Sequence, residues 1–264
     1  MSTFFDFLDR HHAIRGTIHE RDACLSSLMD GLHPDTQRSA FAAMDDTYLF
    51  TQLISKFVDD YCPSQTSTLI DLGAGSCIPT LKALKSNLQQ PLRVTAVELD
   101  SDSAAIARAN VEMNGLRERC EFIEQDMLSF LNLHRFSSTE ILVANPPYLP
   151  TPAHCNDGWF HPVDGGLDGT KYLQPILEYA YPKGMRIALE WCSLSSPSKI
   201  IQLVEQHYRV LYLQAYRAPF GTYVNKVPLF SHLHEQRNRG ESIFLTENGV
   251  NYFWFVGMIL ERIK

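Results

Sequence analysis

No apolar run in this chain reaches the roughly 18 residues that a membrane-spanning helix requires, so no helical span is expected. The opening residues, MSTFFDFLDRHH, lack a basic stretch followed by an apolar core, and a secretory leader is not expected either. Cysteine pairs of metal or redox spacing are missing too. The six cysteines (Cys24, Cys62, Cys77, Cys120, Cys155 and Cys192) stand apart without a Cys-x-x-Cys. That pattern fits free thiols in a reducing compartment, with the cytoplasm as the expected location. Positive charge is in deficit: 23 Lys and Arg against 30 Asp and Glu leave a formal net charge of −7. Tight duplex binding draws much of its affinity from phosphate contacts. Nucleic acid is therefore disfavoured as a partner, and a protein or small-molecule substrate is favoured. Repeats and low-complexity tracts are absent, which excludes solenoid and mainly disordered architectures.

What is present is a chain of 264 residues, 45% hydrophobic and 20% charged, enough for one sizeable core with an appendage. Helical periodicity occurs in pieces over residues 1–60: FFDFLDRHHAI, DACLSSLMDGL, TQRSAFAAM and TYLFTQLISKFVDDY. These predict a small helical lead-in or cap, closed by the turn-rich CPSQTS. From residue 68 short apolar strands alternate with helices. TLIDLG, LRVTAVELD, CEFIEQD, EILVANPPY and MRIALEWC read as strands, as do RVLYLQAYR and NYFWFVGMILERI. Such alternation predicts an α/β fold, with a largely parallel sheet, right-handed crossovers and helices on both faces. The last two strands are expected to be antiparallel. The division expected is a lead-in at 1–60 and a main domain at 61–264. An insertion at about 219–248 is too long for a plain connector, and is expected to be an ordered cover over a site. No oligomeric state is assigned.

Four motifs carry chemistry. In IDLGAGSCIP a strand ends in Asp71, and Gly73 and Gly75 open a helix; glycines there let backbone approach a ligand. No Lys-Ser/Thr follows, so a phosphate-cradling loop is not expected. A plain structural turn is the competing reading. In VTAVELD, Glu98 ends the next strand about 25 residues after the glycines, where a carboxylate can accept both hydroxyls of a ribose. A solvated strand-end charge is the competing reading there, and Asp100 reads as a helix N-cap or surface acid. In EQDML, Asp126 is placed to accept from an adenine amino group and Met127 to pack on the ring.

The fourth motif is NPPY. Asn145 offers an amide carbonyl, the Pro146 carbonyl lies among backbone with few competing donors, and Tyr148 offers a flat face. Two acceptors and a ring suit a planar NH2 group. Accepting both N–H bonds also withdraws the nitrogen lone pair from conjugation, which aids nucleophilic attack. The competing reading is a stiff proline turn. Pro147, Trp159, His161, Phe220 and Tyr223 are weaker candidates for the substrate side; Asn225, Lys226, His232, His234, Arg237, Arg239 and Glu190 are weaker still. His161, His232 and His234 lack metal-ligand spacing, and no metal is expected.

DLGAG, AVELD, EQD and NPPY, in this order, resemble the class I S-adenosylmethionine-dependent methyltransferases, and most of all the branch that methylates planar nitrogens. DDTYLFTQL and FHPVDGGLDGTKYLQPIL are similar to stretches of the HemK-type protein-glutamine methyltransferases, so the resemblance runs over roughly residues 45–215. It implies a doubly wound, Rossmann-like sheet of seven strands with the last antiparallel, plus the N-terminal helical region. It also implies S-adenosylmethionine as cofactor, with S-adenosylhomocysteine as product. Asp71, Gly73 and Gly75 would hold the methionine end, Glu98 the ribose, and Asp126 with Met127 the adenine. Asn145, Pro146 and Tyr148 would hold the nitrogen to be methylated, by in-line displacement that depends chiefly on positioning. Cys77 stands where the third glycine is usual, and His161 where the glutamine enzymes carry Glu. The acceptors that remain open are a protein glutamine, a small-molecule amide, guanidine or amino-heterocycle, and a nucleobase. A silent cofactor-binding partner subunit is the alternative of another class.

Overall fold

The computed structural model describes residues 2–18, 45–88, 91–153, 162–221, 224, 225 and 227–263. In chain order its elements are α1 (Ser2–Arg10), β1 (Ile14–Thr17), α2 (Asp45–Lys56, continued by a π turn at Phe57–Tyr61), β2 (Thr68–Leu72) and α3 (Ile78–Ser86). Then come β3 (Arg93–Glu98), α4 (Ser101–Met113), β4 (Cys120–Glu124), α5 (Met127–Leu133), β5 (Glu140–Ala144), α6 (Leu173–Lys183) and β6 (Ile187–Cys192). The last are α7 (Pro197–His207), β7 (Tyr208–Pro219), α8 (Val227–Asn238), β8 (Leu245–Glu247) and β9 (Val250–Arg262). No helix among the described residues is long and apolar enough to cross a membrane.

These elements fall into two compact units. The central unit comprises the described residues within 20–145 and 182–189; the terminal unit comprises those within 1–19, 146–181 and 190–264. In the central unit β2 pairs in parallel with both β3 and β5, β3 with β4, and β5 with β6. Leu69, Ile70, Leu72, Val94, Val97, Leu142 and Val143 are buried in it, as befits parallel strands covered on both faces. Apolar burial of this kind contributes roughly 1.5–3 kcal/mol for each large side chain. Helix α2 packs on α3, with Leu49, Leu53 and Ile54 turned inward. Asp100 caps α4 by accepting from the Ser103 N–H, at 2.8 Å, and Gly115 (φ +70°) follows the helix end. Both features match the sequence reading of that helix.

In the terminal unit β7 and β9 form a long antiparallel pair, broken by a register shift between Val210 and Tyr212. β2 to β6 pair in parallel and β9 is antiparallel to β7, so the seven strands expected are β2 to β7 and β9. Two further strands depart from expectation. β1 runs parallel to β7, from Ile14 against Gln214 to Thr17 against Arg217, in a segment read as helical. Gly16 makes this possible: a Cβ there would come within 2.5 Å of the Tyr216 ring. β8 pairs antiparallel with β9 through a turn at Asn248 (φ 49°) and Gly249 (φ 78°), the two positive φ values of a tight hairpin. The stretch expected as an insertion therefore contains both a helix, α8, and a hairpin strand.

The described parts of residues 1–60 fall in both units. Helix α1 belongs to the terminal unit, where Phe4 meets Trp191 edge-on with ring centres 6.2 Å apart and Phe5 meets Trp254 at 5.2 Å. Helix α2 belongs to the central unit. The pieces DACLSSLMDGL and TQRSAFAAM lie outside the described residues.

Candidate active site

Parallel strands in register send their carboxyl ends to one edge. Leu72 lies beside Val97 and Ala144, and Glu98 beside Glu124. The residues that follow, Gly73, Asp126 and Asn145, therefore leave the central unit's sheet on the edge that carries Glu98. β3 and β4 lie on one side of β2 and β5 on the other, so the chain reverses its direction of winding here. Ligands of open α/β sheets sit at this place.

The glycine loop folds back on β3. The N–H groups of Gly73 and Ala74 donate to the Val97 carbonyl at 2.8 and 3.1 Å. Gly75 has φ +52°, and its N–H donates to Glu98 Oε2 at 2.8 Å. A Cβ on Gly75 would meet nothing within 4 Å among the described residues. Glu98 Oε1 accepts the Asp100 N–H at 2.9 Å. Each carboxylate oxygen keeps a second lone pair, so the pair of acceptors still suits the two hydroxyls of a vicinal diol. Met127 closes the other side of the loop: its Cε lies 3.0 Å from where a Gly73 Cβ would be. Cys77 takes a left-handed conformation (φ 61°) at the start of α3, a conformation that glycine adopts without strain.

Asp71 is buried, and its Oδ2 accepts the hydroxyl of Thr80 in the first turn of α3. Burial pushes its carboxyl up to about 7; the Thr80 hydrogen bond opposes the rise and the Glu98 charge adds to it. Asp126 Oδ1 accepts the Ser129 N–H at 2.9 Å and caps α5, a role that the sequence reading left out.

Asn145 directly follows β5, with its two amide atoms in different situations. Nδ2 lies 3.4 Å from Asp46 Oδ2 and donates to it. Oδ1 is closed from solvent and accepts no hydrogen bond among the described residues. Buried acceptors are seldom left so, and this oxygen is suited to an N–H from outside the chain.

In the terminal unit the Pro147–Leu149 loop is clamped by the Gly-Gly-Leu-Asp-Gly turn at 165–169. Leu149 N–H donates to the Val163 carbonyl at 2.9 Å, Gly165 N–H to Leu149 at 2.9 Å, and Thr151 N–H to Gly166 at 2.7 Å. A Cβ on Gly165 would lie 2.6 Å from the Tyr148 carbonyl carbon, and one on Gly169 2.5 Å from the Tyr148 oxygen. That is the physical reason for glycine at both positions. Ser195 Oγ donates to the same Tyr148 oxygen at 2.6 Å. Asp168 Oδ1 accepts from Thr170, Oδ2 pairs with Lys199 at 2.6 Å, and these donors hold the carboxyl below its usual range against the effect of burial. Pro146 and Tyr148 are themselves buried.

The weaker candidates separate. Phe220 lies in the core, its ring 5.0 Å from Phe244 and 5.9 Å from Phe253. His232 and Gln236 of α8 both reach the Leu167 carbonyl, at 2.7 and 3.3 Å. His234 and Arg237 pack against Phe244, Arg239 faces Glu235, and Asn225 bonds the Phe220 and Gly221 carbonyls. Glu190 is fully buried in β6. Trp159, His161, Tyr223 and Lys226 lie outside the described residues. Asp46, Thr80 and Ser195 were missed. The acidic pair that opens α2 could have drawn notice to Asp46, whereas nothing in the local sequence marks Thr80 or Ser195.

Residues 48–155 match the family model of the methyltransferase small domain. A release factor glutamine methyltransferase of Chlorobaculum tepidum is 35% identical over 89 residues, 33% of this chain and 29% of that protein. A tRNA1(Val) (adenine(37)-N6)-methyltransferase of Shewanella halifaxensis is 27% identical over 144 residues, 53% of this chain and 54% of that protein. The chain thus spans about half or less of the length of these relatives. Among solved structures, the methyltransferase domain of METTL16 superposes with a TM-score of 0.52 at 14% identity, covering 89% of this chain and 93% of that one. PH1948 of Pyrococcus horikoshii gives 0.54 at 12% identity, covering 92% and 98%. At such identities the likeness concerns the fold. Relatives named for a tRNA substrate stand beside one named for a protein substrate, so the expectation from net charge that nucleic acid is disfavoured gains no support. The fold is the Rossmann-like methyltransferase fold, and residues 48–155 carry the match to the methyltransferase small domain.

Proposed function

We propose that the chain is an S-adenosylmethionine-dependent N-methyltransferase acting on a planar sp2 NH2 group, with a protein glutamine amide as the favoured acceptor. The observation that carries this reading is the Asn145 amide, whose Oδ1 is shielded and without a donor while Nδ2 is tied to Asp46. Such an oxygen is an acceptor waiting for an N–H.

When bound, the cofactor supplies an electrophilic methyl group on a sulfonium. The chain's residues bind and orient. Gly73 and Gly75 leave room beside the loop, Asp71 lies at its base, and Glu98 offers oxygens suited to a ribose diol. Asp126 with Met127 would flank the base. Asn145 Oδ1 and the Pro146 carbonyl, next in the chain, would accept the two N–H bonds, with the Tyr148 ring as the stacking face. Accepting both bonds localises the nitrogen lone pair and lowers the barrier to in-line attack. The anchored Tyr148 backbone supports this role, because a stacking ring serves only if it is held still.

A nucleobase amino group is the second reading, favoured by the relatives named as tRNA adenine-N6 methyltransferases. An adenine amino group is likewise a flat NH2. The test is transfer of labelled methyl from S-adenosylmethionine into a lysate of cells lacking this protein, split into protein, nucleic-acid and small-molecule fractions. Label in protein that maps to glutamine is the expected result. Label as methyladenine in tRNA would favour the second reading, and label only in metabolites would re-assign the acceptor. No transfer into any fraction would overturn the reading and leave a silent cofactor-binding subunit.

A further inference from the structure

We infer that Asp46, the second residue of α2, is a positioning residue that fixes which end of the Asn145 amide faces the reacting nitrogen. This inference rests on the role proposed above for Asn145.

A primary amide is nearly symmetric in shape but opposite in chemistry at its two ends: one oxygen accepts, one NH2 donates. Rotated by half a turn, Asn145 would offer a donor to the incoming NH2 group, donor would face donor, and the site would repel its substrate. Packing alone does not distinguish the two rotamers. A carboxylate does, because when ionised it only accepts. Asp46 Oδ2 stands 3.4 Å from Nδ2, and in the flipped rotamer it would face Oδ1, acceptor against acceptor. The Asp46 carboxylate is itself held from the other side, because Oδ1 accepts the Thr47 N–H at 2.8 Å. Its place in the first turn of α2 is fixed by the helix, whose Leu49, Leu53 and Ile54 are buried. The helix thus sets the carboxylate, the carboxylate sets the amide, and Oδ1 is left as the outward acceptor. The negative charge behind the NH2 end also polarises the amide and makes Oδ1 a stronger acceptor, as in any chain of hydrogen bonds.

The test is a swap of the two groups. Four proteins are compared: the unaltered chain, Asp46→Asn, Asn145→Asp, and the double variant. In the double variant the new amide at position 46 can donate to the new carboxylate at 145, which leaves one carboxylate oxygen facing outward as an acceptor. Methyl transfer from labelled S-adenosylmethionine into the responsive lysate fraction gives the rate, and calorimetry gives the cofactor Kd. Asp46→Asn should slow transfer about tenfold, the equivalent of one lost orienting hydrogen bond, with the cofactor Kd within about twofold. Asn145→Asp alone should be slower still, since two carboxylates then face each other. The double variant should recover at least about tenfold over Asn145→Asp. Transfer by Asp46→Asn at the unaltered rate, or a double variant no better than Asn145→Asp, would overturn the inference.

A readout independent of activity separates this inference from the proposed function. Side-chain amide exchange at Asn145, followed by NMR, should quicken about tenfold in Asp46→Asn if the carboxylate holds the NH2 group. Equal exchange overturns the inference even in an active enzyme. Quickened exchange in a protein that transfers no methyl would uphold the orienting contact and sink the methyltransferase reading instead.

Discussion

Ser195 Oγ donates to the main-chain carbonyl of Tyr148 at 2.6 Å, so a serine on the approach to α7 holds the backbone of the residue proposed to stack on substrate. Both groups are buried. Ser195→Ala should remove that buried hydrogen bond and cost about 1 kcal/mol of stability, seen as a lower urea midpoint at unchanged slope. Gly169→Ala should cost more, because its Cβ would enter the space of the Tyr148 oxygen at φ +79°. Equal stability of Gly169→Ala and the unaltered chain would mean that the turn yields readily.

Asp71 sets a pH dependence of opposite sign to that of most carboxylates. Its folded value of about 7 lies above the ordinary 3.8. The folded chain keeps the proton where the unfolded chain has lost it, so the stabilising contribution is full below about pH 4 and is lost as pH rises through about 7. The Asp71-linked part of stability should fall across that window by a few kcal/mol at most. Asp71→Asn should remove this slope. Thermal midpoints at about pH 5 and about pH 8 for both proteins measure it. Parallel curves for the two would show that Asp71 titrates normally.

Glu98 and Asp100 are two residues apart, yet their substitutions should act on different observables. Asp100 caps α4, and Asp100→Ala should cost about 1 kcal/mol of stability with little effect on cofactor affinity. Glu98 holds the Gly75 N–H and is the proposed ribose acceptor. Glu98→Ala should raise the cofactor Kd by at least about tenfold. A titration in which both variants bind alike would remove Glu98 from the site.

His232 and Gln236 tie α8 to the Leu167 carbonyl. The double variant His232→Ala with Gln236→Ala should loosen the 165–169 turn without unfolding the chain. Hydrogen exchange at the Gly169 and Lys171 amides should quicken, with the β7 and β9 amides unchanged. Unchanged exchange in the turn would leave α8 as covering structure alone.

The alternation of apolar strands with helices, and the acid or asparagine at or just past the ends of β2 to β5, were legible in the sequence because both follow from local chemistry. TLIDL, RVTAVE and EILVA each carry short runs of Leu, Ile, Val or Ala bounded by polar or turn residues, the pattern of a buried strand. Asp100 and Gly115 mark the two ends of a helix by their own hydrogen bonding and backbone freedom. β1 was not legible. Four residues with Arg and Gly among them have no strand pattern, and Ile14–Thr17 becomes a strand because the β7 edge offers unpaired backbone groups. The Asn-Gly at 248–249 was a readable hairpin signal that the length of the insertion obscured.

The sequence by itself determined the order of the sheet's strands along the chain, the glycine loop and the Asn-Pro-Pro-Tyr motif, since each depends on residues adjacent in the chain. Only the tertiary structure decided which partners those residues take. Thr80 meets Asp71 because α3 returns over β2. Ser195 meets Tyr148 across 47 residues, and Asp46 meets Asn145 across 99. Such hydrogen bonds require two separately folded segments to arrive within about 3 Å of each other, and no local pattern encodes that arrival.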